Sequence, residues 1–225
     1  MKEVLEKLEK TISLDAFPKN DNLTTLYFLC YYNSKFSLHF LEGDFEGGLY
    51  LVDEVLKNLK KNEDRIDEHH IMVFYYKIAS LYFGAGNNKK CIEYLKKIID
   101  NKNLSMREDL MCFARVLSLV AHYEAGMDYR LEVQLKSTYK FLIKMNDLHE
   151  VQREMIKFLR NLGTIFPHEL KSEFKKLHDR LIIFENHPYE KRAFLYLDII
   201  SWLESKIENK PVAEIIQEKA KKLIR

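Results

Sequence analysis

Glycines in short polar loops recur along this chain at nearly equal spacing. Gly43, Gly86, Gly126 and Gly163 are separated by 43, 40 and 37 residues. Glycine often ends a helix, because it adopts the left-handed backbone conformation at little cost. Between these glycines, apolar residues recur every three or four positions, which predicts one buried face for each helix. The spacing therefore predicts a repeated unit of two helices joined by a short loop.

The two-helix pattern is clearest in the stretch YYKIASLYFGAGNNKKCIEYLKK, from Tyr75 to Lys97. Its apolar stripe stops at GAGNN and resumes at Cys91, so we expect two helices that pack antiparallel. The chain has only 7 glycines and 4 prolines, fewer than the turns of a β-sandwich or barrel would need. We predict an all-α chain of four to five antiparallel hairpins after a leading helix near residues 2–11.

Start signals place the later helices. Ser105 with Glu108, and Asp147 with Glu150, have the spacing of a capping box. Proline is common at the first residue of a helix, so we expect the next helix to begin at Pro167 and to end near residue 186. A last pair of helices is predicted over residues 189–208 and from residue 211 onward.

The loop sequences resemble the turn between the two helices of a tetratricopeptide (TPR) repeat. The shared pattern is an aromatic, a small residue and a second aromatic, then glycine with an acidic or amide residue, then a small residue. It falls on Tyr75, Ala79, Tyr82, Gly86, Asn87 and Cys91 in one unit, and on Tyr32, Phe36, His39, Gly43, Asp44 and Gly48 in the preceding unit. A third unit departs from it, since Arg115 replaces the first aromatic.

The chain thus resembles a divergent TPR-like protein of the bacterial type. The resemblance covers residues 22–165 well and residues 166–225 loosely. It implies one domain over residues 1–225, folded as an α-solenoid with a right-handed superhelix, in which residues 166–225 form a divergent cap.

The resemblance also implies a concave groove lined by the first helix of each pair. Some TPR domains bind a C-terminal carboxylate with Lys and Asn side chains on this face. Among the equivalent positions of this chain only Lys77 is cationic, so a clamp for two carboxylates is not predicted. Core packing is the alternative for this strip, and the favoured one for Val116 and Val120. The candidate groove residues are Asn33, Ser37, Phe40, Tyr76, Lys77, Ser80, Phe83, Val116, Val120 and Tyr123.

No residue pattern predicts catalysis, a cofactor or a bound metal. The cluster DEHH at residues 67–70 lacks the spacing of a helical zinc site and is better interpreted as a helix start. His39 and His122 occupy the position of Tyr82 in the repeat, which favours hydrogen-bonded packing. Trp202 is interpreted as an anchor of the core or of the end cap. The sequence therefore predicts a protein that is not an enzyme.

Charge and cysteine content limit the partners and the compartment. A net charge of +2 with interleaved signs gives no general attraction to nucleic acid. The 3 cysteines lie apart in apolar runs and are expected to be small buried side chains in a reducing environment. No window is apolar enough for a membrane span, and the first residues do not have a signal-peptide pattern, so the predicted compartment is the cytoplasm.

These observations predict a non-catalytic scaffold that presents a concave groove to a protein or peptide segment. One alternative is a structural module that self-associates, for example as a homodimer. The other is a regulatory sensor that binds a small peptide or a metabolite inside the superhelix.

Overall fold

The computed structural model describes residues 2–13, 20–101, 108–145, 149–188 and 198–223, and within these ranges it contains helices and turns but no strand. The all-α prediction is therefore confirmed. Short 3-10 turns at residues 162–164 and 182–184 follow the ninth and tenth helices. In chain order the α-helices are α1 (Lys2–Ser13), α2 (Asp21–Glu42), α3 (Phe45–Leu49), α4 (Val52–Lys61), α5 (Glu68–Gly84), α6 (Asn88–Ile99), α7 (Glu108–Glu124), α8 (Asp128–Lys144), α9 (Glu150–Asn161), α10 (Leu170–Leu181), α11 (Ile199–Glu208) and α12 (Val212–Leu223).

Helices that follow one another along the chain pack together. The most extensive packing joins α5 to α6, α6 to α7, and α7 to α8, and α10 packs closely on α11. Loops of three residues join α5 to α6 and α7 to α8, and they leave no room for another element between the two helices of each pair. Apolar stripes at helical spacing then meet across each pair.

Three of the four repeated glycines end a helix in the left-handed conformation. Gly43, Gly86 and Gly126 have φ angles of 65°, 76° and 66° and follow the first helix of a pair. The amide of Gly43 donates to the carbonyl of Phe40, and the amide of Gly86 donates to that of Phe83. Gly163 differs, since it lies in the 3-10 turn after α9 without a positive φ. The glycine spacing thus marks three real helix ends.

Several predicted boundaries are wrong in detail. The helix expected after Gly43 is broken at residues 50–51, which divides it into α3 and α4. Pro167 lies in a turn before α10 rather than at its first residue. Helix α9 begins with the side chain of Gln152 accepting a hydrogen bond from the amide of His149, at 3.0 Å. The predicted capping residues Ser105 and Asp147 lie outside the described residues, as do residues 189–197 of the penultimate predicted helix.

Helix α5 contributes to both hydrophobic clusters of the molecule. Phe74, Ile78 and Leu81 are fully buried against α2, α3 and α4. On another side, Tyr76 and Ala79 belong to a larger cluster that extends from α6 to α11. A helix buried on most of its circumference is apolar all round, which explains why α5 lacks a clear polar face.

The C-terminal helices turn back onto the first half of the chain. Helix α12 packs against α2, and the side-chain amide of Gln217 donates to the carbonyl of Gly43 at 3.1 Å. Trp202 of α11 is 1% exposed, and its indole N–H donates to Glu124 at the end of α7, at 2.7 Å. Helix α11 therefore packs on α10 and bonds to the end of α7, whereas α12 returns to α2.

Candidate ligand cavity

A partly enclosed cavity of about 440 Å³ lies between α2, α5 and α12. The side chains of Val212 and Ile216 on α12 cover it, and Leu110 near the start of α7 forms part of its wall. Its volume falls within the range of small-molecule pockets, roughly 300–1,000 Å³. The remaining wall comes from α2, α3 and α5, together with Glu185 and Asp198.

Helical spacing explains which side chains of α5 face this cavity. Val73, Tyr76, Lys77, Ser80 and Phe83 line it, and their spacing of one to four residues puts them on one side of a helix. Ser37, Phe40 and Leu41 of α2 face the cavity in the same manner. The wall is therefore mostly apolar and aromatic, with a few polar groups.

Lys77 is the cation of this wall. Its ammonium group donates to the carbonyl of Asn33 and to the hydroxyl of Ser37, both at 2.9 Å. No carboxylate of the described residues forms an ion pair with it. Burial alone lowers the pKa of Lys77 from its ordinary value of 10.5 to about 8, because desolvation disfavours the charged form.

Two serines also line the cavity, and the hydroxyl of Ser37 accepts a hydrogen bond from this ammonium. The Ser37 hydroxyl donates to the carbonyl of Asn33 at 2.9 Å, and that of Ser80 donates to the carbonyl of Tyr76 at 3.0 Å. Both hydroxyls keep acceptor capacity, since a serine oxygen has two lone pairs. The side-chain oxygen of Asn33 is buried without a hydrogen-bond partner. Polar groups thus concentrate around Lys77.

Acidic side chains lie at another part of the wall. Glu185 follows the 3-10 turn after α10, and Asp198 precedes α11. Both are exposed. Asp198 accepts hydrogen bonds from the amide and the hydroxyl of Ser201, at 2.8 and 2.6 Å, and so begins α11. The cavity therefore has a buried positive group and exposed negative groups.

The predicted groove residues divide into two sets. The cavity brings together Ser37, Phe40, Tyr76, Lys77, Ser80 and Phe83, and Asn33 reaches it through its bond to Lys77. Val116 and Val120 are 3% and 0% exposed and lie in the core instead. The ring of Tyr123 packs against those of Phe174 and Trp202, 6.3 and 6.5 Å away between centroids.

Two aromatic side chains of this strip are largely buried. Tyr76 and Phe83 are only 3% and 8% exposed, because α5 is covered on several sides. Sequence reasoning missed Glu185, Val212 and Ile216, which come from distant parts of the chain and show no pattern that links them to α5. Val73 could be predicted from the sequence, since it lies one helical turn before Lys77.

A second cavity of about 500 Å³ lies nearby, between the loops after α2 and α5 and the last two helices. Two of its charged groups pair with each other, since Lys206 and Glu124 lie 2.6 Å apart. Glu124 also accepts the indole N–H of Trp202. This cavity therefore holds a satisfied network that fixes α11 on α7.

The remaining polar residues singled out in the sequence have structural contacts. Asp67 accepts from the amide of His70 at 2.9 Å and so begins α5, as predicted. His122 is 3% exposed and bonds through Nδ1 to the carbonyl of Ser118 at 2.7 Å, which agrees with its predicted packing role. In the described part of the chain, no cluster of three potential metal-ligating side chains occurs.

The cysteine prediction holds for two residues of three. Cys91 and Cys112 are buried, whereas Cys30 is exposed on α2. Burial raises the pKa of the Cys91 thiol, which keeps this sulfur protonated and unreactive.

No helix among the described residues combines the length and the apolar composition that crossing a bilayer requires. Comparison of the chain with family models, curated proteins and solved structures gives no match.

Proposed function

We propose that this protein is a non-catalytic binding protein with TPR-like hairpins, which holds a small peptide or a metabolite in the cavity between α2, α5 and α12. The observation that carries this proposal is the position of α12. Val212 and Ile216 line the same cavity as Tyr76, Lys77 and Ser80, so a molecule bound there would contact both α12 and α5. Among the functions considered from the sequence, a regulatory sensor fits this geometry best.

The TPR-like part of the proposal rests on the helix ends. Left-handed glycines end α2, α5 and α7, and each is followed by a helix that the chain reaches within a short loop. Consecutive packing from α5 to α8 supports a stack of hairpins. In the proposed α-solenoid, these first helices line the concave side, and α12 lies within it.

A neutral apolar dye tests the cavity directly. N-phenyl-1-naphthylamine fluoresces when it leaves water, and we expect it to bind the protein saturably with one dye per chain. Ser80→Leu adds apolar volume to the wall and should weaken dye binding at least tenfold. The matched control is Ser172→Leu on the exposed side of α10, which should bind like the wild type. Equal binding by both variants would contradict the proposal.

The position of α12 also favours a second candidate, a groove for a protein segment. Helix α12 follows Asn209, whose φ of 56° marks a sharp left-handed turn, and it lies against α2 as a bound helix would. A partner helix would then replace α12. Amide hydrogen exchange tests this candidate, which requires α12 to exchange at least tenfold faster than α5. Equally slow exchange in both helices would exclude it.

A further inference from the structure

The charge of Lys77 has no counter-charge within the described residues. Its ammonium has three N–H donors, and two of them are used by the carbonyl of Asn33 and the hydroxyl of Ser37. Both acceptors are neutral. A partly buried cation without an anion is costly, so an anionic ligand group at this position would stabilise the folded protein.

The surroundings of Lys77 indicate which anion would fit. A phosphate carries more than one charge near neutral pH and is usually held by several cations or by a row of backbone amides. Lys77 is the only cation among the described residues that line this cavity. The single positive charge of Lys77 and its remaining N–H donor match the single charge of a carboxylate and one of its oxygens.

The rest of the wall indicates what the carboxylate would be attached to. Phe40, Val73, Phe83, Val212 and Ile216 present apolar surface within the same 440 Å³. They would bury an aliphatic or aromatic body, which supplies affinity in proportion to the apolar area removed from water.

The acidic residues of the wall add a selection against a second charge. Glu185 and Asp198 would repel the second carboxylate of a ligand whose first carboxylate lies on Lys77. A dicarboxylic acid of the same length should therefore bind more weakly than a monocarboxylic acid.

We propose that the cavity binds a free monocarboxylic acid with an apolar body, its carboxylate on the ammonium of Lys77 and its body beneath Val212 and Ile216. This inference rests on the proposed function, since it names the class of molecule that the cavity holds. The ligand class extends from medium-chain fatty acids to arylalkanoic acids, which share this chemistry.

Displacement of N-phenyl-1-naphthylamine by matched ligands tests the inference. The ligands are octanoate, octanamide and octanedioate, which differ in charge but keep the same chain. We expect octanoate to displace the dye at a concentration at least tenfold lower than either of the others. Equal displacement by octanoate and octanamide would overturn the carboxylate assignment, whereas dye binding itself would leave the proposed function intact.

Variants of Lys77 show whether this residue is responsible. Lys77→Met keeps the length of the side chain and removes its charge, so the preference for octanoate over octanamide should disappear while the dye still binds. Lys89→Met, on the exposed side of α6, is the matched control and should keep the preference. A preference that persists in Lys77→Met would overturn the inference. The wild-type comparison stands without any variant if Lys77→Met fails to fold.

A peptide arm identifies the source of the carboxylate. Acetyl-Leu-Leu ends in the same carboxylate, and acetyl-Leu-Leu-amide lacks it. We expect both peptides to displace the dye more weakly than octanoate. Tighter displacement by the peptide acid would overturn the assignment to a free monocarboxylic acid in favour of a peptide C-terminus.

Discussion

The side-chain amide of Gln217 donates a hydrogen bond to the main-chain carbonyl of Gly43, 3.1 Å away and 174 residues earlier in the chain. Gly43 ends α2, and Gln217 lies in the middle of α12. This contact joins the two ends of the described fold and helps to hold the helix that covers the cavity. Its neighbourhood is close-packed, since a methyl group added at Gly43 would lie 2.8 Å from the carbonyl oxygen of Ala213.

Gln217→Ala should loosen α12 while leaving the rest of the protein folded. The loss of one hydrogen bond to the backbone should lower the free energy of unfolding by about 1 kcal/mol. Amide hydrogen exchange should be faster in residues 212–223 than in the wild type and unchanged in α5. Lys222→Ala, an exposed change on the same helix, is the control and should leave exchange unaltered. Unchanged exchange in Gln217→Ala would show that other contacts hold α12.

Three glycine-to-alanine changes should have different costs. A methyl group on Gly84 would lie 2.2 Å from the ring of Phe45, so Gly84→Ala should lower the free energy of unfolding by about 1–3 kcal/mol through overpacking. At Gly86 there is open space, but the left-handed φ should cost about 1–2 kcal/mol. Gly163 has open space around it and no left-handed φ, so Gly163→Ala should be neutral or stabilise the protein by about 0.5 kcal/mol. Urea denaturation measures all three.

The prediction is tested by the order in which the three variants lower the free energy of unfolding. A Gly163→Ala variant that unfolds as readily as Gly84→Ala would contradict the packing described for the end of α5. A cost-free Gly86→Ala would show that the left-handed end of α5 is not required.

Glu124→Ala should destabilise the contact between α7 and α11. It removes the acceptor of the buried indole N–H of Trp202 and the partner of Lys206. Leaving a buried donor unsatisfied should lower the free energy of unfolding by about 1–3 kcal/mol. Glu132→Ala is the control, because Glu132 pairs with Lys136 on the exposed side of α8 and should matter by less than about 0.5 kcal/mol. Equal effects in thermal denaturation would contradict the role of Glu124.

Lys77→Met should stabilise the protein at pH 7 when no ligand is bound. Burial lowers the pKa of Lys77 to about 8, so its charged form is disfavoured in the folded state. Removing it should raise the free energy of unfolding by about 1–3 kcal/mol, since one pKa unit corresponds to about 1.4 kcal/mol.

The stabilisation by Lys77→Met should depend on pH in a defined direction. Between pH 8 and 10.5 the unfolded chain still holds the proton that folded Lys77 has released. Because the unfolded state then binds more protons than the folded state, the contribution of Lys77 to the free energy of unfolding of the wild type rises with pH across that window. The advantage of Lys77→Met should therefore shrink between pH 7 and pH 9.5 in urea denaturation. Tyr76, Glu185 and Asp198 also line the cavity, but both proteins retain them. An equal advantage at both values would contradict the lowered pKa.

The hairpins were predictable because their signals are local. The stripe from Tyr75 to Phe83 and the left-handed Gly86 lie within one short stretch, and each specifies structure over a few residues. The break between α3 and α4 follows Gly47 and Gly48, whose low helix propensity is a local signal that the prediction of one continuous helix overlooked. At the start of α9 the side chain of Gln152 accepts from the amide of His149, and the predicted capping residue Asp147 lies outside the described residues.

The candidate site was predictable only in part. Ser37, Tyr76 and Lys77 emerge from the spacing along two helices, and these side chains do share one cavity. The cover from Val212 and Ile216 depends on contacts made across most of the chain, and an apolar stripe on α12 fits many neighbours equally well. The core position of Val116 and Val120, in contrast, agrees with the interpretation that the sequence favoured for these two residues.

Intermolecular nuclear Overhauser effects test the location of a bound acid most directly. With octanoate present, the account predicts contacts from its methylene protons to the methyl groups of Val73, Val212 and Ile216, and a chemical shift change at Lys77. Contacts confined to methyl groups outside this cavity, such as those of the exposed Val133 and Ile143, would contradict the central claim.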